Sequence, residues 1–366
     1  MADGTPGAPR HLRIAVACGG TGGHTFPGLA TGRELASRGH AVEVLAAGRS
    51  IEASTLKGWD GPVFRTGARP GKNPVAIVRA LLRTIRHFRA ERPDVLLAMG
   101  SYASLPPVLA ARLLGVPVVL HEANAVPGKS NVFLSRFASA VATSFPGGEG
   151  EFRSGKVVRT GLPVRLELLD QPPFGGFAGS AADDGLTVFV TGGSQGAVPL
   201  NDRVSAALAE VVQSGRIPGL RVIHQTGDRL GTFEATRSRY EEAGVTASVS
   251  PFLAEMGGAF KVADLVIARA GAATCAEICL FGVPSILVPL PIAVRDHQYL
   301  NARHLADAGA AVVVRQDACT PEWLAGTLAE LAADRARLAS MRAAALALAA
   351  PDATSKLADL VVGSAH

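Results

Sequence analysis

Gly19-Gly20-Thr21-Gly22-Gly23-His24 sets four glycines, a hydroxyl and an imidazole directly behind the apolar run 12–17. Glycines at such a turn permit positive φ and close backbone approach, and the N–H groups opening the helix predicted at 26–36 point at an anion. The third glycine is out of register for a dinucleotide fingerprint, and no Lys-Ser/Thr follows to make a Walker A loop. His24 at the helix mouth has the near-neutral pKa of a general base, although an imidazole there can equally cap or pack against the turn. Thr191-Gly192-Gly193-Ser194-Gln195-Gly196 repeats the arrangement, its amides and the Ser194 hydroxyl suiting a diphosphate. A third turn, Arg269-Ala270-Gly271-Ala272-Ala273-Thr274, leads into a helix carrying Glu277. A carboxylate can accept both hydroxyls of a ribose, and a Glu early in a helix is also ordinary macrodipole chemistry.

These turns need strands to hold them. Short apolar runs at 12–17, 41–45, 63–64, 95–98, 116–120 and 140–142, and again at 186–190, 220–224, 247–249, 265–268, 285–288 and 311–314, alternate with alanine-rich helical stretches. Unbroken apolar strands with helices between them predict parallel sheets covered on both faces. LRIAVACGGTGGH and LTVFVTGGSQG open the two halves alike, so the reading is two doubly wound α/β domains, 11–165 and 166–350. A Pro/Gly/Asp/Ala-rich linker, 167–185, lies between them, and a final helix at 351–366, kinked at Pro351, crosses back onto the first. Ligands of open α/β sheets bind outside the carboxyl ends of strands. That rule draws in HEAN at 121–124, GLPVR at 161–165 and DHQYLN at 296–301.

The composition excludes several classes. A chain of 366 residues that is 48% hydrophobic is not disordered. A net charge of +5 is too small to argue for nucleic acid. It is unevenly spread: residues 1–165 hold 21 Lys/Arg against 10 Asp/Glu, and residues 166–366 hold 15 against 21, a basic and an acidic half. Cys18, Cys275, Cys279 and Cys319 form no C-x-x-C pair, which speaks against zinc and disulfides and for a reducing compartment. No segment is a membrane span. In 72–92, however, Ile77, Leu81, Leu82, Ile85 and Phe88 recur at helical spacing among Arg79, Arg83, Arg86, Arg89 and Arg92, with Arg65, Arg69 and Lys72 upstream. A basic amphipathic helix reads as a membrane-surface element, or as a sheet-covering helix with a solvated arginine face. The first reading turns Ile77, Leu81, Arg83, Ile85, Arg86, Phe88 and Arg89 towards the membrane.

GGTGGHTFPGLA at 19–30, HEAN at 121–124, PVR at 163–165, TGGSQGA at 191–197, RAGAATCAE at 269–277 and DHQYLNA at 296–302 together resemble the MurG family, over roughly 12–345. The resemblance implies a GT-B fold of two facing Rossmann-like domains with a deep interdomain cleft. It also implies UDP-GlcNAc as donor and undecaprenyl-pyrophosphoryl-MurNAc-pentapeptide, lipid I, as acceptor. Carried onto this chain, the family's contacts fall on Thr21, Gly22, Gly23 and Asn124 on the sugar and acceptor side, and on Arg165 and Ser194 at the diphosphate. Leu253 reads the uracil with Phe252 beside it, Ala272, Ala273 and Thr274 cover the phosphates, Cys275 and Ala276 are further donor contacts, Glu277 takes the ribose and Gln298 the GlcNAc hydroxyls. Gln195 and Asn301 are additional candidates, and His24 matches the leading candidate for the base. The chain departs from the pattern at Leu162, where the family has Asn, and at Ser101, where Met-Gly-Gly-Tyr is commoner; both adjoin the acceptor side.

The reaction implied is inverting, with His24 taking the acceptor's proton. No Asp-x-Asp occurs, so helix N-termini, Ser194, Thr274 and Arg165 are expected to stabilise the departing diphosphate without a metal or other cofactor. The expected place is the cytoplasmic face of the cell membrane, peripherally attached to its anionic surface. Two rivals share the donor residues: a glycosyltransferase of the same fold acting on another lipid or a natural product, and a non-catalytic UDP-sugar sensor.

Overall fold

The computed structural model describes residues 11–19, 22–48, 56, 58–68, 73–153, 155–177, 185–193, 195–229 and 231–365. The chain divides into two compact units, Met1–Val164 with Asp352–His366, and Arg165–Pro351. In the first, seven parallel strands, β1 (Arg13–Ala17), β2 (Ala41–Ala46), β3 (Val63–Arg65), β4 (Val95–Ala98), β5 (Val118–Glu122), β6 (Ala140–Thr143) and β7 (Val157–Arg159), lie in the order β3-β2-β1-β4-β5-β6-β7. Helices α1 (Gly22–Ser37), α2 (Pro74–Ala90), α3 (Leu105–Leu113) and α4 (Lys129–Leu134) connect them. The second unit has β8 (Thr187–Thr191), β9 (Arg221–Gln225), β10 (Thr246–Ser250), β11 (Leu265–Ala268), β12 (Ser285–Leu287) and β13 (Ala311–Val313) in the order β10-β9-β8-β11-β12-β13. Its helices are α5 (Glu167–Asp170), α6 (Val198–Gln213), α7 (Thr232–Glu242), α8 (Met256–Val262), α9 (Ala272–Phe281), α10 (His297–Asp307), α11 (Pro321–Ala333) and α12 (Arg335–Ala347).

Both sheets follow one plan, running outward one way from β1 or β8 and resuming on the other side with β4 or β11, so the two glycine-rich openings are the same step in two copies of it. β4 and β8 are buried at every residue, as strands sandwiched between helix layers must be. The last helix, α13 (Ala353–Val362), returns to the first unit. Its Leu357, Ala358, Leu360 and Val361 join Leu12, Ile14, Val16, Leu29, Leu35 and Leu97 in one core cluster. Arg38, just after α1, holds it from outside, reaching Asp359 at 2.5 Å.

Four local readings are corrected. The edge strand β7 escaped notice because it has three residues, none fully buried. β5 runs on through His121 and Glu122, both buried, where their polarity suggested a loop. α1 begins at Gly22 rather than at 26, so Gly22, Gly23 and His24 form its first turn and Pro27 lies inside it. Pro351 kinks no helix: α12 ends at Ala347 and α13 starts at Ala353, with the proline in the turn between.

Candidate active site

In the first unit the connections of β1 and β4 leave on either side of the point where the strand order reverses, and His24, on the β1 side, meets the backbone of the β4 side. Its Nδ1 lies 2.9 Å from the carbonyl oxygen of Met99. A carbonyl only accepts, so Nδ1 carries the proton and the basic lone pair is on Nε2. Thr25 Oγ1 donates to Cys18 O at 2.7 Å and pins the turn behind it. His121 is the contrasting imidazole: it is fully buried, its Nε2 lies 3.4 Å from Gly161 O and 3.3 Å from Ser144 Oγ, and burial lowers its pKa to about 4. It stays neutral at every physiological pH.

Asn124 is held by a group the sequence reading did not single out. Buried Glu122 accepts from Asn124 N at 3.0 Å, Gly128 N at 2.9 Å and Asn131 Nδ2 at 2.7 Å, ordering the loop that carries Asn124. The signal available was a carboxylate ending an apolar strand. Gly22 and Gly23 open α1. Thr21 lies outside the described residues.

In the second unit the turn after β8 is glycine by necessity. Gly196 has φ 67, and a Cβ there would stand 1.9 Å from Thr226 O. That carbonyl is itself fixed by Asn201 Nδ2 at 2.9 Å, and Asn201 Oδ1 lies 3.2 Å from His224 Nε2, whose Nδ1 meets the Tyr240 hydroxyl at 2.9 Å. Gln195 is exposed at the tip, and Ser194 lies outside the described residues. α9 starts after Gly271 with no side-chain cap, so the amides of Ala272, Ala273 and Thr274 open it as unspent donors for an anion. Cys275 does not belong with them: its N–H bonds Gly271 O at 3.0 Å and its thiol is fully buried, which leaves it no surface for a ligand. Ala276 follows inside the helical ladder, where its amide is committed too.

Glu277 is nearly buried, and burial raises its carboxyl to about 7, against the pull of Arg165, whose Nη2 stands 3.7 Å from Oε1. Arg165 is thus beside the carboxylate assigned to the ribose. Gln298 Oε1 accepts from Leu290 N at 3.0 Å, which fixes the side-chain amide and leaves its NH2 as the donating end. Asn301 is fully buried and donates to Ala270 O at 3.1 Å, so it positions the turn before α9 and has no exposed atom for a substrate. Arg269, another missed residue, bolts the same turn to Val288 O at 3.0 Å, Pro289 O at 3.2 Å and Gln316 Oε1 at 2.5 Å. Leu253 is half-buried after β10, with Phe252 67% exposed beside it.

α2 turns its apolar residues differently from the expectation. Ala80, Thr84 and Phe88 are buried, and Leu81 and Ile85 pack with Phe88 against the sheet; Ile77 is half-buried. The outward row is Val75, Val78 and Leu82, exposed by 61%, 51% and 61%, with Pro74 and Arg79 lining the same surface. Arg83, Arg86 and Arg89 are exposed, Arg83 lying over the Phe64 ring at 5.5 Å. Leu81, Ile85 and Phe88 are therefore withdrawn as membrane-facing residues, because they pack into the core, whereas Ile77 is only half-buried. Among the described residues no helix is long and apolar enough to cross a membrane.

Residues 14–143 match the glycosyltransferase family 28 N-terminal domain and residues 187–357 the glycosyltransferase family 28 C-terminal domain. The chain is 42% identical to the UDP-N-acetylglucosamine--N-acetylmuramyl-(pentapeptide) pyrophosphoryl-undecaprenol N-acetylglucosamine transferase of Marinobacter nauticus, over 98% of this chain and 99% of the relative. The enzyme of the same name from Stutzerimonas stutzeri is 41% identical over 96% and 99%. Among solved structures, Acinetobacter baumannii MurG aligns with a TM-score of 0.79 at 36% identity, covering 96% of this chain and 99% of that one. The glycotransferase of kitacinnamycin, at 18% identity and a TM-score of 0.71 over 97% and 100%, shares the fold.

Glu277 sets a stability test. A carboxyl raised from 4.5 to about 7 on folding favours the folded state below 4.5 and opposes it increasingly as pH rises to 7. Glu277→Gln removes that dependence. Its melting temperature relative to the parent protein is expected to climb between about pH 5 and pH 8; a difference that stays flat across that range refutes the raised pKa.

Proposed function

The chain belongs to the MurG family of glycosyltransferases, and from that premise we propose which of its residues carry the reaction. It is a UDP-GlcNAc-dependent hexosyltransferase of GT-B fold that moves GlcNAc onto the MurNAc 4-hydroxyl of lipid I to give lipid II. In the proposed mechanism His24 Nε2 takes the proton of that hydroxyl as its oxygen attacks the anomeric carbon with inversion. The observation carrying the assignment is the Nδ1–H bond to Met99 O, which holds the imidazole in the tautomer a base requires. Gly22, Gly23, Thr21 and Asn124, the last oriented by Glu122, serve the sugar and acceptor side.

The departing UDP gains negative charge, and the amides of Ala272, Ala273 and Thr274, with Arg165 and the Ser194 hydroxyl, meet it. Fixed amide dipoles and a guanidinium supply this stabilisation without a metal ion. Glu277 accepts the ribose hydroxyls in its ionised form, so donor affinity weakens as pH falls through about 7. The backbone of Leu253 reads the uracil, with exposed Phe252 beside it, and the Gln298 amide donates to the GlcNAc hydroxyls. The same reading attaches the protein peripherally to the cytoplasmic face of the membrane. Val75, Val78 and Leu82 enter the lipid surface while Arg79, Arg83, Arg86 and Arg89 meet anionic headgroups, each cation contributing about 1 kcal/mol.

Turnover with UDP-GlcNAc and lipid I, followed by release of UDP and identification of lipid II, tests the reading as a whole. His24→Ala is expected to lower kcat by about 10²–10⁴-fold with little change in the KM for UDP-GlcNAc; an unchanged kcat moves the base elsewhere. Excess chelator is expected to leave the rate intact, and a loss restored by Mg²⁺ or Mn²⁺ overturns the metal-free assignment. In vesicle flotation, Val78→Glu combined with Leu82→Glu is expected to release the protein from anionic membranes. Undiminished binding by that variant places the contact on another surface.

A further inference from the structure

The backbone between β4 and the short helical turn Tyr102–Ser104 is under strain at one side chain. Among the described residues three non-glycines have positive φ: Ser101, Arg295 and Asp296. Arg295 (φ 56, ψ 25) and Asp296 (φ 55, ψ 29) occupy the ordinary left-handed well, whereas Ser101, at φ 66 and ψ 174, is in a region essentially reserved for glycine. Gly100 before it has φ 89, and a Cβ there would stand 2.9 Å from Asn131 Nδ2. A glycine at 101 would relieve the strain and still make the turn. The side chain must therefore return something.

It makes two bonds. Ser101 Oγ donates to Gly19 O at 3.2 Å, across to the loop leaving β1, and accepts from Ala103 N at 3.2 Å. Ser104 Oγ secures the same turn by donating to Gly100 O at 2.5 Å. His24 Nδ1–H, from the β1 side, donates to Met99 O on the β4 side. The two loops are thus joined by bonds running in opposite directions, one from each.

We propose that Ser101 is a positioning residue for the transfer reaction: its hydroxyl clasps the β4 exit to the β1 exit and so keeps the Met99 carbonyl where it orients His24. The proposal rests on the reading of His24 as the base. Removing the clasp loosens the imidazole without touching the groups assigned to UDP, all of which belong to the other unit.

Ser101→Gly separates strain from function. It is expected to melt at the parent temperature or higher, yet to lose about tenfold in kcat, with the KM for UDP-GlcNAc unchanged within about twofold. Ser101→Ala keeps the strain and loses both bonds, so kcat falls similarly and the melting temperature falls too. In a His24→Ala background Ser101→Gly should cost nothing further, because its effect passes through the imidazole. Parental kcat in Ser101→Gly, alongside a crippled His24→Ala, overturns the clasp alone, as does a full additional loss in the double variant. Parental kcat in His24→Ala overturns the base assignment itself.

Discussion

Where neighbouring parallel strands send their connections to opposite faces of a sheet, a crevice opens at their carboxyl ends that no connection covers. Everything chemical in this protein follows from that constraint, met twice. In the first unit the crevice falls between β1 and β4, and His24 and Ser101, one from each strand exit, bond across it to Met99 O and Gly19 O. In the second it falls between β8 and β11, where the start of α9 presents backbone amides. The strands supply rigidity because they are buried on both faces. The second crevice supplies unspent donors because the first amides of a helix have no intrahelical partner.

Burial then decides what each ionisable group can do. His121 and His224 are fully buried, which lowers their pKa values to about 4 and about 3, so they work as neutral hydrogen-bonding struts. Glu277, nearly buried but with Arg165 at 3.7 Å, is held near the middle of its titration at neutral pH. An acidic net charge does not bar the second half from the nucleotide we assign to it, since fixed dipoles a few ångströms away outweigh a diffuse net charge screened by salt. The basic half has the opposite arrangement, with cations on the exposed face of α2 and its heaviest apolar residues turned inward.

The turns were legible because glycine advertises backbone demands: Gly192, Gly193 and Gly196 follow an apolar strand in a pattern few other functions require. The strands were legible for a related reason, since burial on both faces leaves no alternation to misread. What escaped were residues whose role depends on distant partners. Asn301 reads as a site residue in the sequence and Arg269 only as the start of a turn, yet Arg269 bonds carbonyls 19 and 20 positions on and Asn301 a carbonyl 31 positions back. The faces of α2 were ambiguous because two apolar rows wind around it, and only the sheet beneath determines which is covered. Ser101 read as a small departure from a family pattern, because backbone angles are not written in residue names.

The path of the chain sets the order in which the molecule can be made. The core of the first unit includes Leu357, Leu360 and Val361, which follow the second unit in the chain, while the second unit is a single continuous stretch inserted before them. On a ribosome, which releases the chain from its amino end, the inserted unit has every residue it needs before the surrounding one does. The half to which we assign the nucleotide can be finished first, and the half carrying His24 waits for α13 to emerge.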